Sequence, residues 1–251
     1  MTRRAGTAPP TDHRADSILL AIDTAGSACS VAVGRGPVVL AAERRELRHG
    51  HAEVLLPMID RVIAAAGLEP MALGIVAAAV GPGGFTGIRV GLGAARGIAL
   101  ALRARAVGVT SFAAVAATLT AAPHRPDVLL VALDSRRDDF YVQLFNRRGA
   151  APLAAPQAVL PDALADFVAA AVGTAPLVIA GDMAAAAAAA LGRSGGIEIA
   201  SDSPPDATGV LAAAWARARA DPAGSPLRPL YLRAPDVSVP KQRSLLARAG
   251  S

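Results

Sequence analysis

The chain has 251 residues, 53% of them hydrophobic and 18% charged, with a formal net charge of +5. That length holds one large domain or two small ones. The apolar content excludes a disordered chain. A single cysteine, Cys29, excludes an internal disulfide and fits a reducing, cytoplasmic setting. No apolar run is long and unbroken enough to read as a membrane span, and no apolar core follows Arg3 and Arg4 as a secretory leader requires.

The charge sits at the ends. Residues 1–16 net +1 and residues 233–251 net +3, leaving about +1 on the 216 residues between them. Aromatic residues are only 3%, so composition does not suggest a basic stripe interleaved with stacking side chains. The expected organisation is an N-terminal tail at 1–16, a first lobe at 17–122, a second at 123–232 and a basic tail at 233–251.

In chain order, Ser17–Asp23 is an apolar run ending in an acid. Ala28–Val33 and Val38–Glu43 are returning strands, with a Gly-Arg-Gly-Pro turn between them. His51–Ala66 carries Val54, Leu55, Met58, Ile59, Val62 and Ile63 at helical spacing. Ile75–Val80 reads as a strand buried on both faces. After a glycine-rich loop comes a small-residue helix to about Leu102. A strand at Ala106–Val109 follows, then a helix capped by Ser111.

The pattern then restarts. Sliding the first segment by about 111 positions puts Asp23 on Asp134, Thr24 on Ser135, Val31 on Val142 and Val33 on Leu144. A helix at Pro161–Val172, a strand at Leu177–Gly181 and helices at Asp182–Leu191 and Gly209–Ala220 complete the second lobe. A hairpin with an acid at its mouth can present backbone N–H groups and a hydroxyl to phosphate. The acid can also hold magnesium through water. The same residues also serve simply to end strands and satisfy local amides.

Seven of the seventeen residues from Gly81 to Gly97 are glycine. The segment is neither a Walker A loop nor a dinucleotide fingerprint, because the lysine and the third glycine are wrongly placed. Gly81, Pro82, Gly83, Gly84, Phe85, Thr86 and Gly87 form a tight loop. Thr86 is the expected cap of a helix whose N-terminus favours an anion. Glycine within a helix costs about 1 kcal/mol against alanine, so Gly91, Gly93 and Gly97 call for a compensating close approach.

Asp23-Thr24, the helix containing Leu55-Leu56-Pro57-Met58-Ile59, the run Gly81–Arg89, the segment Asp134–Tyr141 and Pro229–Arg233 together resemble the bacterial TsaB (YeaZ) family. Gly84 departs from the family's usual serine, and Asp138-Asp139 from its usual Gly-Glu. The resemblance implies an α/β protein of the actin/Hsp70-like (ASKHA) fold, with two duplicated lobes of mixed sheet flanked by helices. It implies a non-catalytic subunit in forming N6-threonylcarbamoyladenosine at adenosine 37 of tRNA, paired with a catalytic paralogue, TsaD, and joined by an ATPase, TsaE. ATP is then used by the assembly, tRNA is met indirectly, and this chain carries no catalytic residue and no metal. The phosphate hairpins Asp23, Thr24, Asp134 and Ser135 are degenerate in this reading.

The catalytic relative needs two histidines four apart on a helix. His13, His49, His51 and His124 include no such pair. The resemblance places the partner interface on the first two helices, here Val54, Leu55, Met58 and Val62 with Arg89, Gly93 and Arg96. A homodimer through the same helices stays open. The alternative function is an active ATPase or small-molecule kinase of the same fold. A peptidase lacks a nucleophile–base–acid set, and a pure dimerisation scaffold shares the interface features.

Overall fold

A computed structural model of the chain describes residues 17–47, 49–119, 127–147, 151–193, 195–221 and 226–233. The tails expected at 1–16 and beyond Arg233 lie outside these residues.

The order of elements is duplicated. In the first half, strands β1 (Ile18–Asp23), β2 (Ala28–Arg35) and β3 (Val38–Glu46) lead into helix α1 (His51–Ala65). Strand β4 (Leu73–Gly81), helix α2 (Phe85–Leu102), strand β5 (Arg105–Thr110) and helix α3 (Ser111–Thr118) follow. The second half repeats the series with β6 (Val128–Asp134), β7 (Phe140–Asn146), β8 (Ala151–Pro152) and β9 (Gln157–Val159). Helix α4 (Leu164–Val172), strand β10 (Leu177–Ala180), helix α5 (Ala184–Leu191), strand β11 (Ile197–Ser201) and helix α6 (Ala207–Ala220) complete it.

Each half builds one mixed sheet. The first runs β3-β2-β1-β4-β5 and the second β11-β10-β6-β7-β8, with β9 also on β7. β1 and β6 are central: antiparallel to the hairpin partner on one side and parallel to a crossover strand on the other. Every residue of Ile18–Asp23 is buried, because helices cover both faces of the sheet. This is the actin/Hsp70-like (ASKHA) fold, with two duplicated lobes.

The repeat is tighter in the strands than in the turns. Asp23 pairs with Ser30, whereas Asp134 pairs with Phe140, so the second turn is one residue shorter. The slide of 111 positions holds along β1 and β6. Along the returning strands it is one residue out: Val31 pairs with Ile22, but Val142 pairs with Ala132. The crossover loops keep their own correspondence. β4 ends in, and β10 is followed by, a glycine with left-handed backbone, Gly81 at φ 106° and Gly181 at φ 108°. That conformation is open to glycine at little steric cost.

Helix α6 corrects the expected partition. The sequence places Gly209–Ala220 with the second lobe, yet α6 packs on β1, β2, β4 and β5 of the first sheet. Val210, Leu211, Ala214 and Trp215 join the first core. In return, Phe112, Val115 and Ala116 of α3 form a core with Leu129, Val131 and Leu133 of the second sheet. The apolar faces of these helices fit either sheet equally well on sequence grounds, so only the tertiary fold decides. Ser111 is likewise not the cap of α3. Thr110 accepts from the Ala113 N–H at 3.1 Å, while the Ser111 hydroxyl donates to the Pro82 carbonyl at 2.9 Å. β11 has no counterpart in the sequence reading, since its residues alternate weakly and are only half-buried.

By length and composition, one described helix could cross a membrane, Phe85–Leu102. Here Ile88, Leu92, Ala95 and Ala99 of that helix are buried in the first core.

The two exchanged helices meet closely. A Cβ built on Gly209 of α6 would lie 2.5 Å from the Ala114 carbonyl of α3. Backbone cannot yield as a flexible side chain can. Gly209→Ala is therefore expected to lower stability by about 1–3 kcal/mol, read as a lower denaturant midpoint. An unchanged midpoint would show that the helix crossing is looser than described.

Candidate functional site between the hairpins

The two strand-turn-strand hairpins and the glycine loop meet where the lobes join. Thr24 at the mouth of the first hairpin donates from Oγ1 to the Gly87 carbonyl at 2.7 Å. The Gly84 N–H donates to the Ala25 carbonyl at 2.7 Å. A Cβ on Gly87 would lie 2.0 Å from the Thr24 carbonyl oxygen, one on Gly83 2.3 Å from that of Ala25, and one on Gly91 2.4 Å from Thr24 Oγ1. These glycines are present because the hairpin rests directly on the loop and on the first turns of α2. The helix begins at Phe85 with Gly84 as its N-cap and no side-chain cap. Thr86, the expected cap, is instead an exposed residue of the first turn.

Asp23 is 2% exposed and accepts from the Ala25 N–H at 2.8 Å. Burial pushes its carboxyl up to about 7, and Asp206 adds to the effect; the Ala25 N–H and Arg44 oppose it. Its counterpart Asp134 is exposed and accepts from the Arg136 N–H at 2.6 Å. Asp182, after β10, accepts from the Asp134 N–H at 3.0 Å, and burial raises its carboxyl as well. Ser135 donates to the Asp139 carbonyl and carboxylate, each at 2.6 Å. Asp23, Asp134 and Ser135 thus satisfy local backbone and a neighbouring acid, as strand-ending polar residues do, while Thr24 reaches across to the glycine loop.

Arg136 was not legible as a site residue. It sits at φ 62° in the second turn, and its Nη2 donates to the Gly26 carbonyl of the first hairpin at 3.1 Å. Between the hairpins, near Ala25, Pro82, Asp134 and Asp182, the open space is only about 40 Å³. A larger cavity of about 480 Å³ lies beside it, lined by Thr24, His49, His51, Thr86 and Arg136. Burial lowers the pKa of His51, and Arg136 and His49 nearby act in the same direction. Among the described residues no group of three or more His, Cys, Asp or Glu is placed to hold a metal.

The predicted interface residues divide. Leu55, Met58 and Val62 are 1%, 0% and 2% exposed and pack in the first core. They are therefore corrected from interface to core: the apolar face of α1 is no wider than its sheet requires. Val54 is half-buried, and Arg89, Gly93 and Arg96 are exposed. Leu56, at 54% exposure, is the large apolar residue of α1 that faces outward. Its signal in the sequence was a single leucine off the buried phase. Gly93 and Gly97 have nothing within 4 Å of a Cβ position. The two arginines engage the chain itself. Arg89 lies over the Phe85 ring at 3.7 Å and donates to the Tyr231 hydroxyl at 3.3 Å; Arg96 donates to the Leu227 carbonyl.

Cys29 is fully buried, and burial pushes its thiol up to about 11, so at neutral pH it is no thiolate nucleophile.

Two ASKHA lobes closed on one another by their own hairpins define the class of molecule. The sequence model of the family described as TsaD: tRNA N6-adenosine threonylcarbamoyltransferase matches residues 45–194. The chain belongs to this family, among its TsaB (YeaZ) relatives. It is 35% identical over 124 residues to the tRNA threonylcarbamoyladenosine biosynthesis protein TsaB of Haemophilus influenzae, covering 49% of this chain and 51% of that one. Against the TsaB of Escherichia coli K12 the identity is 33% over 129 residues, 51% of this chain and 55% of that one. The chain thus spans about half the length of the curated relatives it matches. The solved structure of YeaZ from Pseudomonas aeruginosa aligns at a TM-score of 0.70 and 26% identity, over 86% of this chain and all of that one.

Two predictions test this geometry. Gly87→Ala meets backbone at 2.0 Å and should destabilise by about 1–3 kcal/mol. Gly97→Ala meets nothing and should stabilise by up to about 1 kcal/mol. Equal effects in thermal unfolding would refute the packing argument. For Asp23 the folded-state pKa lies above the unfolded value of 3.8. Its contribution to stability is therefore full below pH 3.8 and lost as pH rises through about 7. The melting-temperature difference between Asp23→Asn and the parent should grow across that window and level off above it. A difference constant with pH would mean that Asp23 does not titrate there.

Proposed function

We propose that the chain is a non-catalytic subunit in the threonylcarbamoyl modification of adenosine 37 in tRNA, acting in the cytoplasm by pairing with a TsaD-type catalytic paralogue. The names of its curated relatives support the pathway, and the TsaD family match supports a paralogous partner. The structural observation that carries the accessory role is the closed junction. The Gly84 N–H is bonded to Ala25 and the Arg136 guanidinium to Gly26, in the place where a working phosphate site would hold its ligand. About 40 Å³ remains between Asp134, Asp182 and the first hairpin, and the cavity of about 480 Å³ beside it opens between the first hairpin, the glycine loop and Arg136. In this reading the chain binds no nucleotide of its own, ATP is turned over by a TsaE-type ATPase, and tRNA reaches the assembly chiefly through its partners.

Pairing through α1 and α2 would use the surface around Val54, Leu56, Arg89, Gly93 and Arg96. Gly93 and the small residues beside it allow another helix to approach closely. A homodimer on the same face would compete with the heterodimer.

The deciding experiment is an omission assay with the TsaD and TsaE partners, the enzyme forming the threonylcarbamoyl adenylate, ATP, threonine, bicarbonate and tRNA. Modified adenosine should collapse when this chain is left out, and the chain alone should turn over no ATP. Unchanged modification rejects the reading, and ATP turnover by the isolated chain would favour the kinase or ATPase alternative. Gly93→Leu should leave the melting temperature of the isolated chain unchanged or raised, yet abolish co-purification with the paralogue. Retained pairing would move the interface off α2.

A further inference from the structure

The last described segment, 226–233, has no helix or strand of its own, and it crosses from one lobe to the other. Leu227 is 5% exposed in the first core and Leu230 packs against that core, while Leu232 packs against the core that α3 forms with the second sheet. Backbone fixes its course. The Leu230 N–H donates to the Val80 carbonyl at 2.7 Å. A Cβ on Gly81 would lie 2.8 Å from the Leu230 carbonyl oxygen, and one on Gly108 2.6 Å from that of Pro226. Arg233 secures the far end on the buried Asp139 carboxylate.

The same segment engages α2. Arg89, Gly93, Arg96 and Leu100 recur at i, i+4, i+7 and i+11, so they share one face of that helix, and all four are exposed. Both arginines of the face are tied to the segment, Arg89 to the Tyr231 hydroxyl and Arg96 to the Leu227 carbonyl. A long side chain on a helix leans toward the N-terminus and covers the turn before its own Cα. For Arg96 that turn holds Gly93, three residues earlier. Yet nothing lies within 4 Å of a Cβ built on Gly93, because the guanidinium is on the Leu227 carbonyl instead. Arg89 leans over Phe85, one turn before it, at 3.7 Å from the ring centre, and Phe85 stacks on Tyr231 at 5.1 Å. The two longest side chains of the face are thus engaged elsewhere, and Gly93 between them is bare.

We propose that segment 226–233 is a positioning element for pairing: it holds the Arg96 guanidinium on the Leu227 carbonyl and so keeps the Gly93 turn open to a helix of the TsaD-type paralogue. The occupant is a helix with an apolar, small-residue face, because the ground it meets is Gly93, Gly97 and Leu100, and the cations beside them are already bonded within the chain. The inference rests on the subunit reading above and adds to it a segment more than a hundred residues from α2 in sequence.

The test uses the full chain. Pairing with the paralogue is measured by calorimetry, and the mobility of the Arg96 Nε–H by NMR relaxation in the isolated chain, where it should be rigid. Leu227→Ala with Tyr231→Ala removes the core anchor and the aromatic stack together. This untied chain should show a mobile Arg96 and pair about threefold to tenfold more weakly, the cost of ordering one long side chain. Adding Arg96→Ala to it should recover parental pairing, which a merely destabilised fold would not do. Failure to recover overturns the proposal and makes Arg96 or the segment itself a contact to the partner. Parental pairing by an untied chain with mobile Arg96 overturns it, as does an Arg96 equally rigid in the untied chain, since something other than the segment then holds the side chain. In each of these cases the parent chain still pairs. A parent that does not pair rejects the subunit reading, and this role with it.

Discussion

The closeness of the first hairpin to the glycine loop is the constraint from which the rest of the structure follows. The Thr24 and Ala25 carbonyls occupy the space that Cβ atoms of Gly87 and Gly83 would need, and two hydrogen bonds at 2.7 Å hold the contact. Such an approach fixes where α2 starts and how it leaves the sheet. It also places the Gly84 N–H against a protein carbonyl rather than toward a ligand. A glycine-rich loop after a buried strand suggests phosphate binding by analogy. Here steric contact within the chain accounts for the glycines that face inward.

The second determinant is the exchange of last helices between lobes. Because α3 completes the core of the second sheet and α6 that of the first, neither sheet is covered by its own half alone. The lobes are therefore joined through packed apolar surface as well as through the Arg136–Gly26 bond. The segment 226–233 adds a third link, running from the end of β4 to the ion pair between Arg233 and Asp139. Hinged opening about the junction would have to disturb all three.

Much of the fold was legible because its signals are local. The acid ending β1 and β6, the apolar face of α1 and the glycine after β4 each follow from residue type and spacing. What was not legible depended on tertiary choice. The face of α6 does not state which sheet it will cover, and Leu55, Met58 and Val62 do not state whether a sheet or a partner will bury them. The one-residue difference between the hairpin turns is likewise invisible to an ungapped slide, since both strands alternate acceptably in either register. Arg136 lies in a segment that carries the family resemblance, but its role comes from a left-handed turn that lets it bond across the junction to Gly26.

The glycines of α2 separate two causes that sequence reading merges. Gly87 and Gly91 face the hairpin, where a methyl group would collide with Thr24. Gly93 and Gly97 face open space, where alanine would fit and would favour the helix by up to about 1 kcal/mol each. Among the described residues nothing lies against either glycine to offset that cost. The inward pair is explained by contact with the hairpin, whereas the outward pair leaves the outer side of α2 with little bulk. Leu100 on the same helix is 82% exposed, and Leu56 of α1 is 54% exposed, which gives the outer surface of these two helices apolar character as well as low bulk. Low bulk and apolar character on one helix face are what close helix packing uses, and they do not depend on whether the hairpin cleft ever held a nucleotide.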